Sequence, residues 1–207
     1  MQVGFFMSKL VDLEEGQEDS SGIYVKFIDV LFAIVLGQSF VLLSSSSGLA
    51  SWMANPISHI WDMMNTVLTY SLVITSWVGY HDSVRTLRIR KVWRFVIDIM
   101  LLFLYYLGFT YVNSFPKLSI VVVLVFMLYF LWNVARFFEY RSVEDCVTRY
   151  KLWNRTLEAL LFAVVFAFIA YISNAFPDPT IGGVAWTVSL IVFIIYRKRF
   201  WGGPKAQ

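Results

Sequence analysis

Charge is scarce in this sequence, and so is cysteine. Asp, Glu, Lys and Arg make up 15% of the 207 residues, well under the roughly 25% usual in a soluble domain. The single cysteine, Cys146, excludes an intramolecular disulfide and argues against a cysteine-based metal cluster. The two histidines, His59 and His81, stand at opposite ends of one apolar run and cannot share a metal ion. Also missing are a His-Glu-x-x-His helix, a glycine loop able to cradle phosphate, and a Gly-x-Ser-x-Gly elbow. These absences count against an enzyme: no catalytic, metal-ligating or cofactor-binding residue is assigned, and the only small species expected is a permeant monovalent cation. Strictly alternating stretches of the kind that build a membrane β-barrel are absent too.

What the sequence does have is hydrophobic length. Apolar residues make up 58% of the chain, and they gather into runs of about 20 residues, the length that crosses a bilayer as a helix. Six runs are marked, at roughly 23–44, 59–80, 95–114, 118–138, 156–175 and 181–198. The expected fold is an all-α integral membrane protein, and the lipid bilayer is its first partner. Residues 1–22 turn acidic through Asp12, Glu14, Glu15, Glu18 and Asp19 and read as a flexible cytoplasmic tail rather than a signal peptide. Residues 23–200 form the six-helix domain, and residues 201–207 form a short cytoplasmic C-terminal tail.

The connections between the runs are of two kinds. Val84–Arg94 and Phe137–Arg155 are basic, whereas Ser44–Ser58, Asn113–Pro116 and Asn174–Thr180 are built from Ser, Gly, Asn and Pro. With Lys9, Lys26, Arg136 and the basic residues after the sixth run, 16 of the 17 Lys and Arg residues fall on one side, Lys117 being the exception. The positive-inside bias then puts both termini in the cytoplasm. The net charge of +3 is explained by topology, without a nucleic-acid partner. Most of the eight tryptophans, Trp132 and Trp153 among them, read as interfacial belts.

Polar residues within the runs are costly in hydrocarbon and so carry information. On a helix at 100° per residue, Phe27, Val30, Ile34, Gln38, Val41 and Ser45 share a narrow stripe, with Asp29 on nearly the opposite side. Two readings are open for Asp29, an interfacial acid reaching water or a packing hub for the first helix. Gln38 is either an interhelical hydrogen-bond partner or a pore-facing amide. Asp62, Asn65, Thr66 and Thr69 form a second stripe that glues helices or lines water. Lys26, Asp29, His81, Asp98, Asn133, Arg136 and Glu158 lie at one cytoplasmic level, a placement that invites pairing.

Phe27-Ile28-Asp29-Val30-Leu31-Phe32-Ala33-Ile34 resembles the first-helix signature R-x-x-x-F-S-D of the family that includes the endolysosomal potassium channel transmembrane protein one-seven-five and its bacterial six-helix relatives. Phe27, Asp29, Ala33 and Ile34 match; Ile23 and Ile28 stand where the family has arginine and serine. Trp77-Val-Gly-Tyr-His81 is similar to the family's tryptophan and histidine at the end of the second helix. The resemblance implies a homotetramer in a bacterial inner (plasma) membrane, with a central pore lined by the first helices. By position the lining is Ile34, Gln38, Val41 and Ser45, with Gln38 replacing an apolar layer. Asp29, His81 and Asp98 would form the packing network, with Lys26 or Arg136 standing in for the missing arginine. The functional expectation is a potassium-type cation channel gated at a hydrophobic constriction. The alternative, motivated by the charged segment Glu139–Arg155, is a non-conducting membrane sensor or anchor that recruits a cytoplasmic protein partner.

Overall fold

Backbone polar groups in hydrocarbon must be paired within the chain, and a helix does so segment by segment. In the computed structural model, residues 2–45, 48–86, 92–139 and 146–175 and the stretches 184–185, 187–189 and 191–195 are described; they form helices and tight turns, with no strand among them. The helices are α1 (Gln2–Ser45), α2 (Gly48–Ala54), α3 (Ile60–Thr86), α4 (Val92–Thr110), α5 (Phe115–Glu139) and α6 (Cys146–Ala175). Four segments are long and apolar enough to cross a membrane: Gly22–Ser44 of α1, Trp93–Thr110 of α4, Phe115–Phe138 of α5 and Trp153–Ala175 of α6. This is the architecture of a membrane-embedded helical protein.

These four correspond to the runs expected at 23–44, 95–114, 118–138 and 156–175. The run expected at 59–80 lies on α3, whose 27 residues give it about 40 Å of length. Asp62, Asn65, Thr66, Thr69, Thr75 and Ser76 make it too polar to be counted with the four. Of the run at 181–198, the described pieces are helical and the rest lies outside the described residues, as do 201–207. The acidic opening stretch, expected as a flexible tail, has helical backbone from Gln2 onward, continuous with the apolar part of α1.

Helix ends follow local chemistry. The Ser114 carbonyl accepts from the Leu118 amide at 2.9 Å, so Pro116 falls in the first turn of α5, where its missing N–H costs nothing. The turn back from α4 is closed by the Ser114 amide on the Tyr111 carbonyl at 2.9 Å, which sets α4 and α5 as an antiparallel pair. At the start of α3 the His59 carbonyl takes the Met63 amide at 3.0 Å, and Asp62 lies in the first turn, where a carboxylate is favoured.

α5 and α6 pack along their length. On α6 the buried set Thr156, Ala159, Ala163, Phe166, Ala170 and Ser173 recurs every three or four residues. Its alanines let the two backbones approach closely, and Phe166 stacks on Phe126 of α5 at 4.9 Å between ring centres. α4 occupies the middle, in contact with α1, α3 and α5, and buries Leu101, Leu102, Tyr105 and Phe109. α1 turns Ile28, Phe32, Val35 and Ser39 inward, a single face by helical spacing.

The tightest crossing is at Gly108 of α4. A Cβ there would sit 3.3 Å from Thr69 Cγ2 of α3 and 3.9 Å from Leu118 and Val121 side-chain carbons of α5. Gly108→Ala is expected to leave the thermal unfolding midpoint in detergent within a few degrees of wild type. Gly108→Leu forces α3 or α5 away and is expected to cost about 1–3 kcal/mol, read as a clear fall in that midpoint.

Candidate functional site

Trp77 and His81 are one helical turn apart on α3 and share a face. Both meet the same carboxylate oxygen of α1: Asp29 Oδ1 accepts from Trp77 Nε1 at 3.0 Å and lies 2.8 Å from His81 Nε2. An ionised carboxylate can only accept, so that imidazole nitrogen carries hydrogen. The indole and imidazole rings meet edge-on at 5.0 Å, and the Tyr80 ring meets His81 edge-on at 5.8 Å. Asp29 is half-buried and tied to α3. The geometry is that of a packing hub rather than of an acid solvated by water alone.

A second polar contact joins the same two helices farther along. Ser39 Oγ donates to the Leu36 carbonyl at 2.6 Å and lies 2.7 Å from the Tyr70 hydroxyl. Tyr70 packs in turn on Phe109 of α4, with ring centres 4.7 Å apart.

Deeper in the bundle lies a group of charged and polar side chains removed from solvent. Arg94 is 0% exposed, Asp98 5% and Arg136 4%. Trp132 is their common neighbour: Arg94 Cζ stands 4.8 Å and Arg136 Cζ 5.1 Å from its ring centre, distances that favour cation–π attraction in a desolvated setting. The Trp132 indole N–H lies against the Asp98 carboxylate. Beside them is a cavity of about 70 Å³, lined by Thr75, Ser76, Gly79 and Tyr80 of α3, Asp98 and Leu101 of α4, Tyr129, Trp132 and Asn133 of α5, and others including Phe193. The Tyr105 hydroxyl donates to Ser76 Oγ and sits 2.8 Å from the Tyr129 hydroxyl, linking two residues of the cavity wall from behind it.

The residues expected to pair therefore divide. Asp29 and His81 meet directly. Asp98 and Arg136 belong to the neighbouring buried group around Trp132. Lys26 is exposed and makes no hydrogen bond or ion pair with a described residue. Of the proposed pore lining, Ile34 and Val41 are 51% and 55% exposed, and Gln38 between them is exposed with no hydrogen-bond partner among the described residues. The Ser45 side chain lies outside the described residues.

The stripe on α3 is buried at Asn65, Thr66 and Thr69. Asn65 Nδ2 donates to the Val112 carbonyl at 2.8 Å, while Thr66 and Thr69 return their hydroxyls to carbonyls one turn back in the same helix. This is packing glue. At the far end His59 Nδ1 lies 3.2 Å from Asp62 Oδ2.

Two participants were not singled out in the sequence, Arg94 and Trp132. Arg94 passes for part of a basic connection and Trp132 for part of an aromatic belt. The available signal is spacing: Arg94 and Asp98, and likewise Trp132 and Arg136, are four apart on their helices and so face the same way. Among the described residues no group of three or more His, Cys, Asp or Glu side chains could hold a metal ion. Comparison with protein-family models, with curated proteins and with solved structures finds no match to this chain.

Removing one partner of the Asp29 group separates the two hydrogen bonds. His81→Ala and Trp77→Phe are each expected to cost on the order of 1 kcal/mol. Combined with Asp29→Asn in double-mutant cycles, they should be non-additive, as read by denaturant unfolding in micelles.

Proposed function

We propose that this protein is a cation channel of potassium type, a homotetramer of six-span subunits with both termini cytoplasmic, in which the exposed stripe of α1 lines a central pore. The observation that carries the reading is Gln38. It is an amide with no hydrogen-bond partner among the described residues, in the second half of the apolar segment of α1, flanked on one exposed face by Ile34 and Val41. An unpaired amide facing hydrocarbon costs roughly 1–3 kcal/mol by mutational measures. A water-filled axis between copies removes that cost, because water in the pore and the matching amides of other copies complete its hydrogen bonds. Ile34 and Val41 then form apolar rings above and below an amide ring, an arrangement that gates by dewetting and passes a cation that sheds part of its hydration. The Asp29, Trp77 and His81 group supports the same reading, since it fixes how α1 is turned.

The recruitment reading has its own supporting feature. The helical backbone of α1 runs for 44 residues, against 23 in its apolar part. At 1.5 Å per residue the excess projects about 30 Å beyond the membrane segment, which is a suitable rod on which to dock a cytoplasmic protein.

Two measurements test the channel. In lipid nanodiscs the mass of the particle should correspond to four chains, and a stable monomer overturns the pore. In potassium-loaded liposomes Ile34→Asn should raise flux about tenfold or more by wetting the constriction, whereas Gln38→Leu should lower it. Unchanged flux in both variants, with folding intact, removes α1 as the pore wall.

A further inference from the structure

Between Asp29 and Asp62 the sequence has no Asp, Glu, Lys or Arg. The connection from α1 to α3 fills the later part of that stretch, and it carries the two most exposed large hydrophobic side chains among the described residues, Met53 at 80% and Ile57 at 87%. On α2, Ala50, Met53 and Ala54 are exposed at i, i+3 and i+4, while Ser51 and Trp52 are half-buried, so the outward face of this short helix is its apolar one. Ile57, Ile60 and Trp61, also exposed, follow along the chain and into α3. A connection bathed in water would turn its faces the other way.

Position decides what covers this face. The membrane-crossing segment of α1 ends at Ser44, and α2 begins at Gly48 and packs on α1. A short link and little more than one helical turn leave Met53 no farther than about 20 Å from that end. The face is therefore held beside the bilayer surface. Its backbone groups are taken up locally: the Asn55 amide donates to the Ser51 carbonyl at 2.9 Å, Ser58 Oγ to the Asn55 carbonyl at 2.8 Å, and the Met63 amide to the His59 carbonyl at 3.0 Å. Such local pairing is what entry into a lipid environment demands. Tryptophan, present as Trp52 and Trp61, is enriched where headgroups meet acyl chains. A second copy of the chain fits less well, because a stable protein contact covers about 800 Å² on each partner, more than a helix about 10 Å long and one turn present.

We infer that residues 48–61 form a membrane-interfacial foot: α2 lies along the bilayer surface with Ala50, Met53 and Ala54 turned toward the acyl chains, and Ile57 and Trp61 enter beside it. The partner is the lipid itself. With no Asp, Glu, Lys or Arg in the segment, insertion draws on apolar contact rather than on anionic headgroups, unlike the basic connections Val84–Arg94 and Phe137–Arg155. The foot holds the nearby end of α1 at a fixed height in the membrane.

The test is spin-label accessibility of the full chain in phosphatidylcholine nanodiscs. Nitroxides are attached one at a time at Met53→Cys, Ile57→Cys and Asn113→Cys, each alongside Cys146→Ser; Asn113, exposed in the turn between α4 and α5, is the reference. Dissolved oxygen concentrates among acyl chains, whereas a nickel chelate stays in water. Labels at positions 53 and 57 are expected to favour oxygen over the chelate several-fold more than the label at 113, and to keep that ratio in high salt. Chelate access equal to that at 113 leaves the face in water and overturns the proposal. Protection from both reagents puts another copy of the chain on the face and overturns it equally, as does a ratio that collapses in high salt. If a labelled variant fails to fold, the unsubstituted chain serves: a lipid-soluble diazirine should modify Met53 and Ile57 several-fold more than Asn113, and equal modification overturns the foot.

Discussion

The absence of solvent water from the bilayer interior is the constraint on which this structure turns, since it leaves each polar side chain to find its partner within the chain. The chain meets the demand in three ways, graded by the strength of the group. Hydroxyls of Thr66, Thr69, Ser173 and Ser189 bond carbonyls one turn back in their own helix, which satisfies them and asks nothing of a neighbour. Amides and phenols reach between elements, as Asn65 does to Val112 and Ser39 to Tyr70. Charged groups gather, Asp29 with His81 and Trp77, and Asp98 with Arg94, Arg136 and Trp132. The helices that hold these charges together, α1, α3, α4 and α5, are those that must stay in register. α6 joins them mainly by apolar packing of small residues and phenylalanines on α5.

The grouping of Arg94 and Arg136 about one indole also explains how two guanidiniums are kept out of water. A charge moved alone into a dry interior is very costly, and the cost falls when charges, rings and dipoles are arranged together. Asp98 lies one turn from Arg94 on α4, and Trp132 one turn from Arg136 on α5. Two i, i+4 pairs on adjacent helices thus place four side chains in one volume. A substitution of any one is felt by the other three, so the group acts as a single unit of stability.

Much of the architecture was legible in the sequence, because length and apolar content alone decide whether a segment can cross a bilayer. The segments on α1, α4, α5 and α6 were each marked to within a few residues. The run on α3 reads as a span equal to these, and it is helical, but its threonines and Asn65 leave it less apolar than the four. The partnership of Asp29 and His81 could be drawn from their common depth. Their sharing of one oxygen with Trp77 could not, since it depends on the rotation of α3. Arg94 and Trp132 were hidden by the rules that read basic residues as loop charges and tryptophans as interface anchors. Those rules describe averages over positions, whereas burial at a given position is set by which helix lies across from it.

The two polar contacts between α1 and α3 have a mechanical consequence. Asp29 and Ser39 are ten residues apart, about 15 Å along the axis, and each is fastened to a different turn of α3. One fastening, off the axis, sets the azimuth of α1 at one height; the second, ten residues on, sets it at another and so resists twisting between them. A shift of α1 by one residue would swing its outward arc through 100° and break both fastenings at once. The phase of that arc is therefore a discrete quantity, held or lost as a whole, and any motion α1 makes while both contacts persist is a tilt that carries α3 with it.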